Sequence, residues 1–380
     1  MDHAGSPPNR RVRRAVTLVA LGLVAVLIAL AVALVALNPG RLNPMRGPDG
    51  RLIPGSISER VTKEIGGVQQ GMFIQSDDPT NPVLLFLHGG PGMPEFFLET
   101  TNPTGLSRDF TVVWWEQRGA GMSWNPDISP DTMTVPQLIA DTIIVTNYLR
   151  DRFGQDKIYL LGHSWGSYLG IQVAATAPEL YHAYIGMGQV SYQLQSEVAA
   201  HAALIAAYRA RGDAGMVRKL EAAPVSIKGG LSDAWLRLRD KAMHGLGVGT
   251  TRDMRSVING VFLPVWFCRA YTLREKIGIW RGLAFSRRYL WDAFLNTDLT
   301  GEINPLDLPV YFFSGGHDLT ANHDLSRAFF DRIRAPVKGF YTFENSAHSP
   351  LFEEPQRARV ILVQDVLHHA TRLSDKEKPD

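Results

Sequence analysis

Three residues of this sequence, Ser164, Asp318 and His348, have the side chains that nucleophilic catalysis needs. A serine nucleophile needs a base to take its proton, and the base needs a carboxylate that orients it and stabilises its charged form. Ser164 lies in the stretch 162–166, which reads GHSWG and fits the G-x-S-x-G pattern of a nucleophile elbow. The pattern predicts an acyl-transfer site in which Ser164 attacks a carbonyl, His348 is the general base and Asp318 holds the imidazole.

Each of these residues follows an apolar stretch that is typical of a buried strand. The elbow lies between a β-rich stretch at 157–161 and a helical stretch at 167–175, and the other two residues follow stretches at 308–313 and 340–343. The carboxyl ends of parallel strands meet at one edge of a sheet, where ligands bind. We therefore expect the three side chains to lie together at that edge, with Ser164 at the tip of a tight turn.

Two backbone amides are expected to stabilise the oxyanion. The helix predicted after the elbow offers the amide of Trp165 near its N-terminus, and an amide there can donate to a developing negative charge. After the strand predicted at 82–87 comes the glycine-rich turn 88–92, which lets backbone amides approach a substrate closely. We expect the amide of Gly90 to be the second donor, with Gly89 as the alternative.

Other residues are weaker candidates for the site. Asp324 and Glu344 are alternative acids, whereas His317 shares a loop with Asp318 and is poorly placed to face that carboxylate. The sequence has no H-E-x-x-H pattern and no His and Asp cluster at ligand spacing, so no metal site is predicted. The glycines at 89–92 do not fit G-x-G-x-x-G, so no dinucleotide cofactor is predicted either.

An uncharged apolar segment lies near the N-terminus. Residues 15–37 contain no charged side chain, and a helix of this length covers about 35 Å, more than the roughly 30 Å of a bilayer core. Four arginines precede the segment, so we expect residues 1–14 in the cytoplasm and the catalytic domain outside it. A single-pass signal anchor is the favoured interpretation, and a cleaved signal peptide and a buried core helix are the alternatives.

The rest of the chain is predicted to form one catalytic domain with an insertion. Residues 38–56 contain four prolines and four glycines, which indicates a linker that lifts the domain off the membrane. Alternating strands and helices over 57–190 and 301–380 predict an α/β fold, with a mostly parallel central sheet flanked by helices. Residues 191–300 are helical and aromatic, which predicts a cap over the active site; a helical layer without substrate contact is the alternative.

Several single residues carry further expectations. Phe262, Trp266 and Tyr271 lie in the aromatic part of the insertion and are expected to contact the substrate. Arg118 is expected to pin neighbouring loops rather than to act in catalysis, because a guanidinium can bind several carbonyl and carboxylate groups at once. The one cysteine, Cys268, excludes an intrachain disulfide, and a net charge of +2 gives no indication of a nucleic-acid partner.

Together these motifs resemble the proline iminopeptidase family of α/β-hydrolases. The resemblance covers about residues 57–370 and rests on the stretches at 88–92 (HGGPG), 117–123 (QRGAGMS), 162–167 (GHSWGS), 316–318 (GHD) and 347–350 (AHSP). The family pattern has Asp before Gln-Arg-Gly, where this chain has Glu116. The resemblance implies an α/β-hydrolase fold with a cap domain, an oxyanion hole from Gly90 and Trp165, and release of N-terminal residues, often proline, from peptides.

The insertion departs from the family pattern. Family aminopeptidases hold the α-amine of the substrate with cap carboxylates, in Trp-x-x-Trp-Glu and just before an aromatic His-Tyr-Phe stretch. The nearest stretches here, 235–239 (WLRLR) and 257–262 (VINGVF), contain no glutamate. An unpaired ammonium in an apolar pocket costs several kcal/mol, so an aminopeptidase would need a replacement carboxylate, for which Asp240, Asp253 and Glu275 are candidates.

The sequence therefore predicts a serine hydrolase that cleaves an amide or ester bond through an acyl-enzyme, without a cofactor. The preferred substrate is a short peptide with a small or apolar N-terminal residue, and a carboxylester or lipid-like ester is the alternative. A non-catalytic binding or signalling protein of the same shape is a third interpretation, which the complete triad and both glycine turns disfavour. The expected partners are a small substrate and a lipid bilayer, the latter through residues 15–37.

Overall fold

A computed structural model of the protein describes residues 10–376. Its strands are β1 (Ile57–Ile65), β2 (Val68–Ser76), β3 (Val83–Leu87), β4 (Thr111–Trp115), β5 (Ile158–His163), β6 (Tyr181–Met187), β7 (Val225–Ser226), β8 (Gly230–Leu231), β9 (Val310–Gly315) and β10 (Lys338–Phe343). Eight of them form one sheet in the order β1-β2-β4-β3-β5-β6-β9-β10, and β7 pairs with β8 as a separate hairpin. Within the large sheet, only the pairings of β2 with β1 and with β4 are antiparallel, which confirms the mostly parallel α/β fold.

The helices cover both faces of this sheet and form most of the insertion. They are α1 (Arg10–Leu37), α2 (Phe96–Thr101), α3 (Val135–Phe153), α4 (Trp165–Thr176), α5 (Gln193–Ala210), α6 (Ala214–Glu221), α7 (Asp233–Leu246), α8 (Leu263–Phe267), α9 (Leu273–Asn296), α10 (His323–Arg332), α11 (Pro350–Glu353) and α12 (Pro355–Gln364). A π-helical turn, Ile258–Phe262, leads directly into α8.

The hydrophobic core is split by the sheet into two layers. Successive side chains of a strand point to opposite faces, and β3 is buried on both. Val83, Leu85 and Leu87 pack into the cluster on one face, whereas Leu84 and Phe86 pack into the cluster on the other. The central strands are therefore fixed from both sides, which gives their carboxyl ends a rigid position.

The insertion consists of two parts that pack differently. Helices α5, α6 and α7 share a small core of their own, which includes Leu204, Trp235 and Met243. Helix α9 instead packs back on the catalytic domain, because its Leu290 and Phe294 belong to one of the two sheet clusters. The insertion thus combines a separate helical cap with one long helix that is part of the domain core.

Helix α1 stands apart from this core. All of its side chains are exposed, and it is long and apolar enough to cross a membrane. The alternative interpretation as a buried core helix is therefore wrong. Of the predicted cytoplasmic segment 1–14, residues 1–9 lie outside the described part of the chain.

The segment after α1 has little regular structure, as a linker should, but it is folded along the catalytic domain. The amide of Arg41 donates to the carbonyl of Arg269 at 3.3 Å, and Leu42 packs against a sheet cluster. The hydroxyl of Ser58 donates to the carbonyl of Asn43 at 2.7 Å. Residues 38–56 thus pack along the domain from the end of α1 onward, and the expectation that this linker lifts the domain off a membrane stays a prediction.

A buried ion pair connects the outer strands to the helix layer. Arg118, only 1% exposed, contacts both carboxylate oxygens of Asp141 on α3, with its Nε 2.7 Å and its Nη2 2.9 Å away. Its Nη2 also donates to the carbonyl of Gly66, in the β1–β2 turn, at 2.8 Å. One guanidinium thus joins three segments of the chain, and no substrate group is needed to explain its position.

Removal of the Asp141 carboxylate is expected to destabilise the protein strongly, because the Arg118 charge would stay buried without its partner. Breaking a buried pair in this way costs about 3–5 kcal/mol. Asp141→Ala should lower the free energy of unfolding by about this amount, measured by chemical denaturation in detergent. Glu221→Ala, which breaks the exposed Arg209–Glu221 pair, is the control and should cost less than about 1 kcal/mol. Equal losses in the two variants would contradict the role assigned to the buried pair.

Candidate active site

Ser164 occupies a strained turn between β5 and α4. Its φ of 57° and ψ of −120° are rare for a residue with a side chain. The turn needs close backbone approaches on both sides: a Cβ on Gly162 would meet the backbone of Gly166, and a Cβ on Gly166 would meet the carbonyl of Leu87 at the end of β3. The two glycines of the motif therefore allow the elbow to form, and the elbow holds the serine at the edge of the sheet.

Asp318 and His348, which are far apart in sequence, form a buried pair. They follow β9 and β10, and Nδ1 of His348 lies 2.8 Å from Oδ2 of Asp318. The second oxygen of Asp318 accepts hydrogen bonds from the amides of Thr320 at 2.8 Å and Ala321 at 3.0 Å, which fixes the carboxylate. Nε2 of His348 is buried and has no hydrogen-bond partner among residues 10–376. This nitrogen is the atom that a general base uses to accept a proton.

The rival residues for the acid and the base lie elsewhere. Asp324, on the first turn of α10, and Glu344, in the loop after β10, are both exposed. His317 is exposed as well, although its neighbour Asp318 is buried. None of the three has a contact with His348 among the described residues.

The glycine-rich turn after β3 leaves one amide available beside the nucleophile. Gly90 lines the same cavity as Ser164, and its amide has no acceptor among the described residues. The amide of Gly89, in contrast, donates to Glu95 Oε1 at 3.1 Å. The Trp165 amide, at the start of α4, also has no acceptor in the described part of the chain. Gly90 and Trp165 are thus better placed than Gly89 to offer N–H groups to an oxyanion.

Gln117 ties these two segments together. Its side-chain amide donates to the carbonyl of His88 at 3.0 Å, and its oxygen accepts from the indole Nε1 of Trp165 at 2.8 Å. Its backbone amide donates to Nε2 of His88 at 3.1 Å. The loop after β4 therefore fixes the glycine-rich turn relative to the elbow.

A buried histidine–glutamate pair links the same turn to the loop of His348. Nδ1 of His163 lies 2.8 Å from Glu95 Oε1, and its Nε2 lies 2.8 Å from the carbonyl of His348. Since both ring nitrogens face acceptors, both donate and the imidazole is charged. Burial by itself lowers the pKa of His163, but the Glu95 carboxylate, the carbonyl of His348 and the charge of Asp318 together raise it overall. Because Glu95 also accepts from the amide of Gly89, this pair connects the elbow, the glycine-rich turn and the His348 loop.

Glu353, in α11, holds the His348 loop from the other side. Its carboxylate accepts from the amides of Ala347 at 3.0 Å and Ser349 at 3.1 Å, the two neighbours of His348. It also accepts from the amide of Arg252, in the insertion, at 2.6 Å. Burial raises the pKa of Glu353 to about 7, although these three amides act in the opposite direction.

The elbow opens into a cavity of about 410 Å³ beneath the insertion. Its apolar lining includes Leu236, Trp291 and Phe294, and its charged lining consists of Arg239, Asp240, Arg287 and Arg288. Volumes of this size suit small ligands.

Of the three candidate carboxylates for a substrate amine, one lines the cavity. That residue is Asp240, whose Oδ1 lies 3.0 Å from Nη1 of Arg239. Asp253 lines a different depression, and Glu275 is paired with Arg60. Glu197 lies behind the cavity wall, and both of its oxygens are occupied by Nε of Arg239 at 2.8–2.9 Å.

The aromatic residues expected to contact the substrate do not line this cavity, which corrects that expectation. Tyr271 is fully buried, and its hydroxyl donates to Glu116 at 2.5 Å. Phe262 packs against Trp266 and Trp280, with ring centroids 5.9 and 5.4 Å away. The aromatic lining comes instead from Trp291 and Phe294 at the other end of α9, because that end packs against α4.

Glu95, Glu353 and Glu197 were missed by sequence reasoning. Each is buried or half-buried and meets its partners through the fold rather than through a motif. Two of them could have been found from their position in the sequence, because each closely follows a loop expected in the site. Glu95 comes six residues after Gly89, and Glu353 comes five residues after His348. Within residues 10–376, no three His, Cys, Asp or Glu side chains are grouped as metal ligands would be.

Glu353→Gln is expected to lower kcat about tenfold and to leave KM within about twofold, because it disturbs the loop that positions His348. The flanking amides donate to one oxygen of Glu353 and the Arg252 amide donates to the other. A glutamine has one acceptor oxygen and an NH₂ group, so it leaves either the Arg252 amide or a flanking amide without its acceptor. Steady-state kinetics with any ester or nitroanilide that the enzyme hydrolyses measure kcat and KM separately. The control is Glu344→Gln, an exposed substitution near the same loop, which should have little effect.

The same variant should change the pH dependence of stability. The native state keeps the Glu353 proton up to about pH 7, whereas the unfolded chain loses it near the ordinary glutamate pKa of 4.5. Ionisation therefore makes the wild type less stable as the pH rises through this interval. The decrease should be smaller in Glu353→Gln, and an unchanged pH profile together with an unchanged kcat would contradict the assignment.

A family model and individual known proteins both match this chain. The alpha/beta hydrolase fold family matches residues 82–355. A probable aminopeptidase of Bacillus subtilis strain 168, YbaC, is 33% identical over 322 residues, covering 84% of this chain and 100% of that protein. A proline iminopeptidase of Lactobacillus delbrueckii subsp. lactis is 23% identical over 292 residues, covering 73% of this chain and 88% of that protein.

Solved structures share the same fold. A proline iminopeptidase-related protein of Thermus thermophilus superposes with a TM-score of 0.58 at 21% identity, covering 82% of this chain and 98% of that one. The proline iminopeptidase of Mycobacterium smegmatis has the same TM-score and coverage at 19% identity. The resemblance to proline iminopeptidases inferred from the motifs is confirmed, and the chain belongs to the alpha/beta hydrolase family of enzymes.

Proposed function

We propose that this hydrolase is an aminopeptidase that removes the N-terminal residue of short peptides, with Ser164 as nucleophile. The observation that carries the proposal is the Asp240 carboxylate in the cavity of Ser164. One oxygen of Asp240 faces Arg239, and the other has no hydrogen-bond partner among the described residues. That oxygen can accept from a substrate ammonium. The name of the Bacillus subtilis relative, a probable aminopeptidase, supports the same class.

Acylation follows from the arrangement of the proposed triad. Oγ of Ser164 attacks the carbonyl carbon of the first peptide bond while Nε2 of His348 takes the hydroxyl proton. The amides of Gly90 and Trp165 stabilise the negative charge that develops on the carbonyl oxygen. Asp318 stabilises the imidazolium. The C–N bond then breaks as His348 gives its proton to the leaving nitrogen, and the shortened peptide departs with a new N-terminus.

Deacylation repeats these steps with water as the nucleophile. His348 takes a proton from the water, whose oxygen attacks the acyl carbon of the Ser164 ester. The ester bond breaks, the proton returns to Oγ, and the free amino acid leaves. The same residues serve both half-reactions, so no cofactor enters the scheme.

An esterase that acts on small apolar esters is the second candidate. The apolar side chains of Leu236, Trp291 and Phe294 in the cavity lining favour it. The chemistry at Ser164 would be the same, and the two candidates differ in whether Asp240 binds an ammonium. A test must therefore vary the substrate amine and the Asp240 carboxylate together.

We further propose that α1 is a signal anchor, with its N-terminus inside and the catalytic domain outside the cytoplasm. The basic side chains at its start, Arg10, Arg11, Arg13 and Arg14, support this orientation. The packing of residues 38–56 against the domain would then keep the enzyme next to the membrane. A cleaved signal peptide remains the alternative for the same helix.

Hydrolysis of proline-, alanine- and leucine-nitroanilide, beside a short-chain nitrophenyl ester, tests the proposed activity. Ser164→Ala should lower kcat at least about 1,000-fold on every substrate that the wild type cleaves. Asp240→Asn should raise KM for the nitroanilides about tenfold, since it removes the charge that pairs with the amine, and should spare the uncharged ester. Asp253→Asn is the matched control, because Asp253 lies outside the cavity.

Three results would count against the proposal in different ways. Full turnover by Ser164→Ala would remove the mechanism. Serine-dependent cleavage of the ester alone would favour the esterase. Failure of a fluorophosphonate probe to label the wild type would point to a non-catalytic protein of the same shape, because labelling requires an activated serine.

A further inference from the structure

Two adjacent arginines of α9 line the catalytic cavity without an acidic partner. The guanidinium of Arg287 lies over the ring of Trp291, 5.0 Å from its centroid, and that of Arg288 lies 5.5 Å from the centroid of Tyr289. Neither arginine forms an ion pair with a carboxylate within residues 10–376. The two guanidinium groups are therefore positioned by cation–π contacts, and their hydrogen-bond donors can bind a ligand.

The charges around them do not balance. Arg239 is neutralised by Glu197 and Asp240, which lie on its two sides. With Arg287 and Arg288 included, these five side chains carry a net charge of +1, and the unpaired charge lies in the cavity lining. Partial burial lowers the pKa of Arg287, and the nearby Arg239 acts in the same direction, while Asp240 and Glu197 oppose them. A bound anion would relieve this repulsion.

We infer that Arg287 and Arg288 form a subsite for a substrate carboxylate, and that the enzyme prefers di- and tripeptides whose free C-terminus reaches it. The inference rests on the proposed function and specifies its substrate class. Guanidinium groups bind carboxylates through paired, charge-assisted hydrogen bonds. A cavity of about 410 Å³ that presents Asp240 at one place and two free arginines at another is complementary to a small zwitterion.

Matched peptides that differ in one charge test the subsite. The substrates are Ala-Ala, Ala-Ala amide, and Ala-Glu amide, which returns the carboxylate on a side chain. For the wild type, kcat/KM should be about 10- to 100-fold higher for Ala-Ala than for its amide, as expected for hydrogen bonds to a charged group. The double variant Arg287→Gln/Arg288→Gln should lose this preference. Arg281→Gln should keep it, because Arg281 lies on the same helix but packs over Trp124 outside the cavity.

The outcomes separate the subsite from the proposed function. Equal kcat/KM for the acid and the amide, or a preference that survives in the double variant, would overturn the subsite while leaving the aminopeptidase intact. Recovery of activity with Ala-Glu amide would support the subsite and assign it to any nearby carboxylate rather than to the C-terminus alone. Fluorophosphonate labelling shows whether each variant is folded.

If no peptide is cleaved but the nitrophenyl ester is, the proposed function fails and the subsite is still measurable. Inhibition of ester hydrolysis by Ala-Ala and by its amide then gives the same comparison. Stronger inhibition by the acid, lost in the double variant, would support the subsite, and equal inhibition would overturn it.

A second, independent feature is an exposed apolar face on the short helical segment 258–267. Ile258 and Phe267 are 62% and 63% exposed, and Phe262 and Leu263 are 41% and 38% exposed. We call these four side chains the apolar face. They lie on consecutive turns, and Phe262 packs on Trp266, so the face continues into a cluster of aromatic rings.

The apolar face lies next to the C-terminal end of α1. Nζ of Lys276 lies 2.6 Å from the carbonyl of Trp266 and 3.5 Å from the carbonyl of Leu37, the last residue of α1. The amide of Arg41 donates to the carbonyl of Arg269, two residues beyond Phe267. The chain that leaves α1 is thus attached directly to the C-terminal end of segment 258–267.

We propose that the apolar face inserts into the interface of the bilayer that α1 spans. The inference rests on the proposed anchoring and commits to lipid as the occupant, because the face is continuous with the end of the span. Three exposed arginines, Arg255, Arg269 and Arg274, flank the segment and can bind acidic head groups. Partial insertion of apolar and aromatic side chains beside basic ones is typical of interfacial helices.

Fluorophores on single introduced cysteines test this contact in the full chain, reconstituted into vesicles with lipids brominated on their acyl chains. The native Cys268 is buried and serves as the unlabelled background. Labels on Ile258→Cys and Phe267→Cys should be quenched at least about twofold more than a label on Ile227→Cys, an apolar site in the β7–β8 hairpin that is 51% exposed. Equal, weak quenching at all three positions would overturn the proposal.

Discussion

The close approach of the nucleophile elbow to the end of β3 is the constraint on which the site depends. Gly166 lies so near the carbonyl of Leu87 that no side chain fits between them, and Gly162 is equally confined. This contact sets Ser164 beside the glycine-rich turn, so Ser164 and the amides of Gly90 and Trp165 share one rigid support. The buried strands on either side keep the support in place, since both faces of the sheet are packed.

Around this support, two buried or half-buried glutamates hold the loops next to Ser164 and His348. Glu95 binds the charged His163 and the amide of Gly89, while Glu353 binds the amides on both sides of His348. Buried polar and charged groups of this kind are costly unless their lone pairs and N–H groups are used. Their nearly complete hydrogen bonding means that the loops have few alternative positions, which is the preorganisation that electrostatic catalysis requires.

The parts of the site that could be predicted from the sequence are those with a local signal. The elbow, the glycine-rich turn and the order of the three catalytic residues depend on short motifs and on strand ends. Glu95 and Glu353 could not be found in this way, because their roles depend on which loops the fold brings together. Phe262, Trp266 and Tyr271 were misplaced for a related reason: aromatic composition indicates a buried or interfacial surface but does not specify which one.

The exposed position of Arg287 and Arg288 has a consequence for how this architecture evolves. Both side chains are exposed and form no ion pair within residues 10–376, so they contribute little to folding stability. Substitutions there can alter which molecules bind while the sheet, the elbow and the buried carboxylates stay unchanged. The proposed subsite thus separates substrate preference from stability, so proteins that share this scaffold can diverge in substrate without first acquiring compensating mutations.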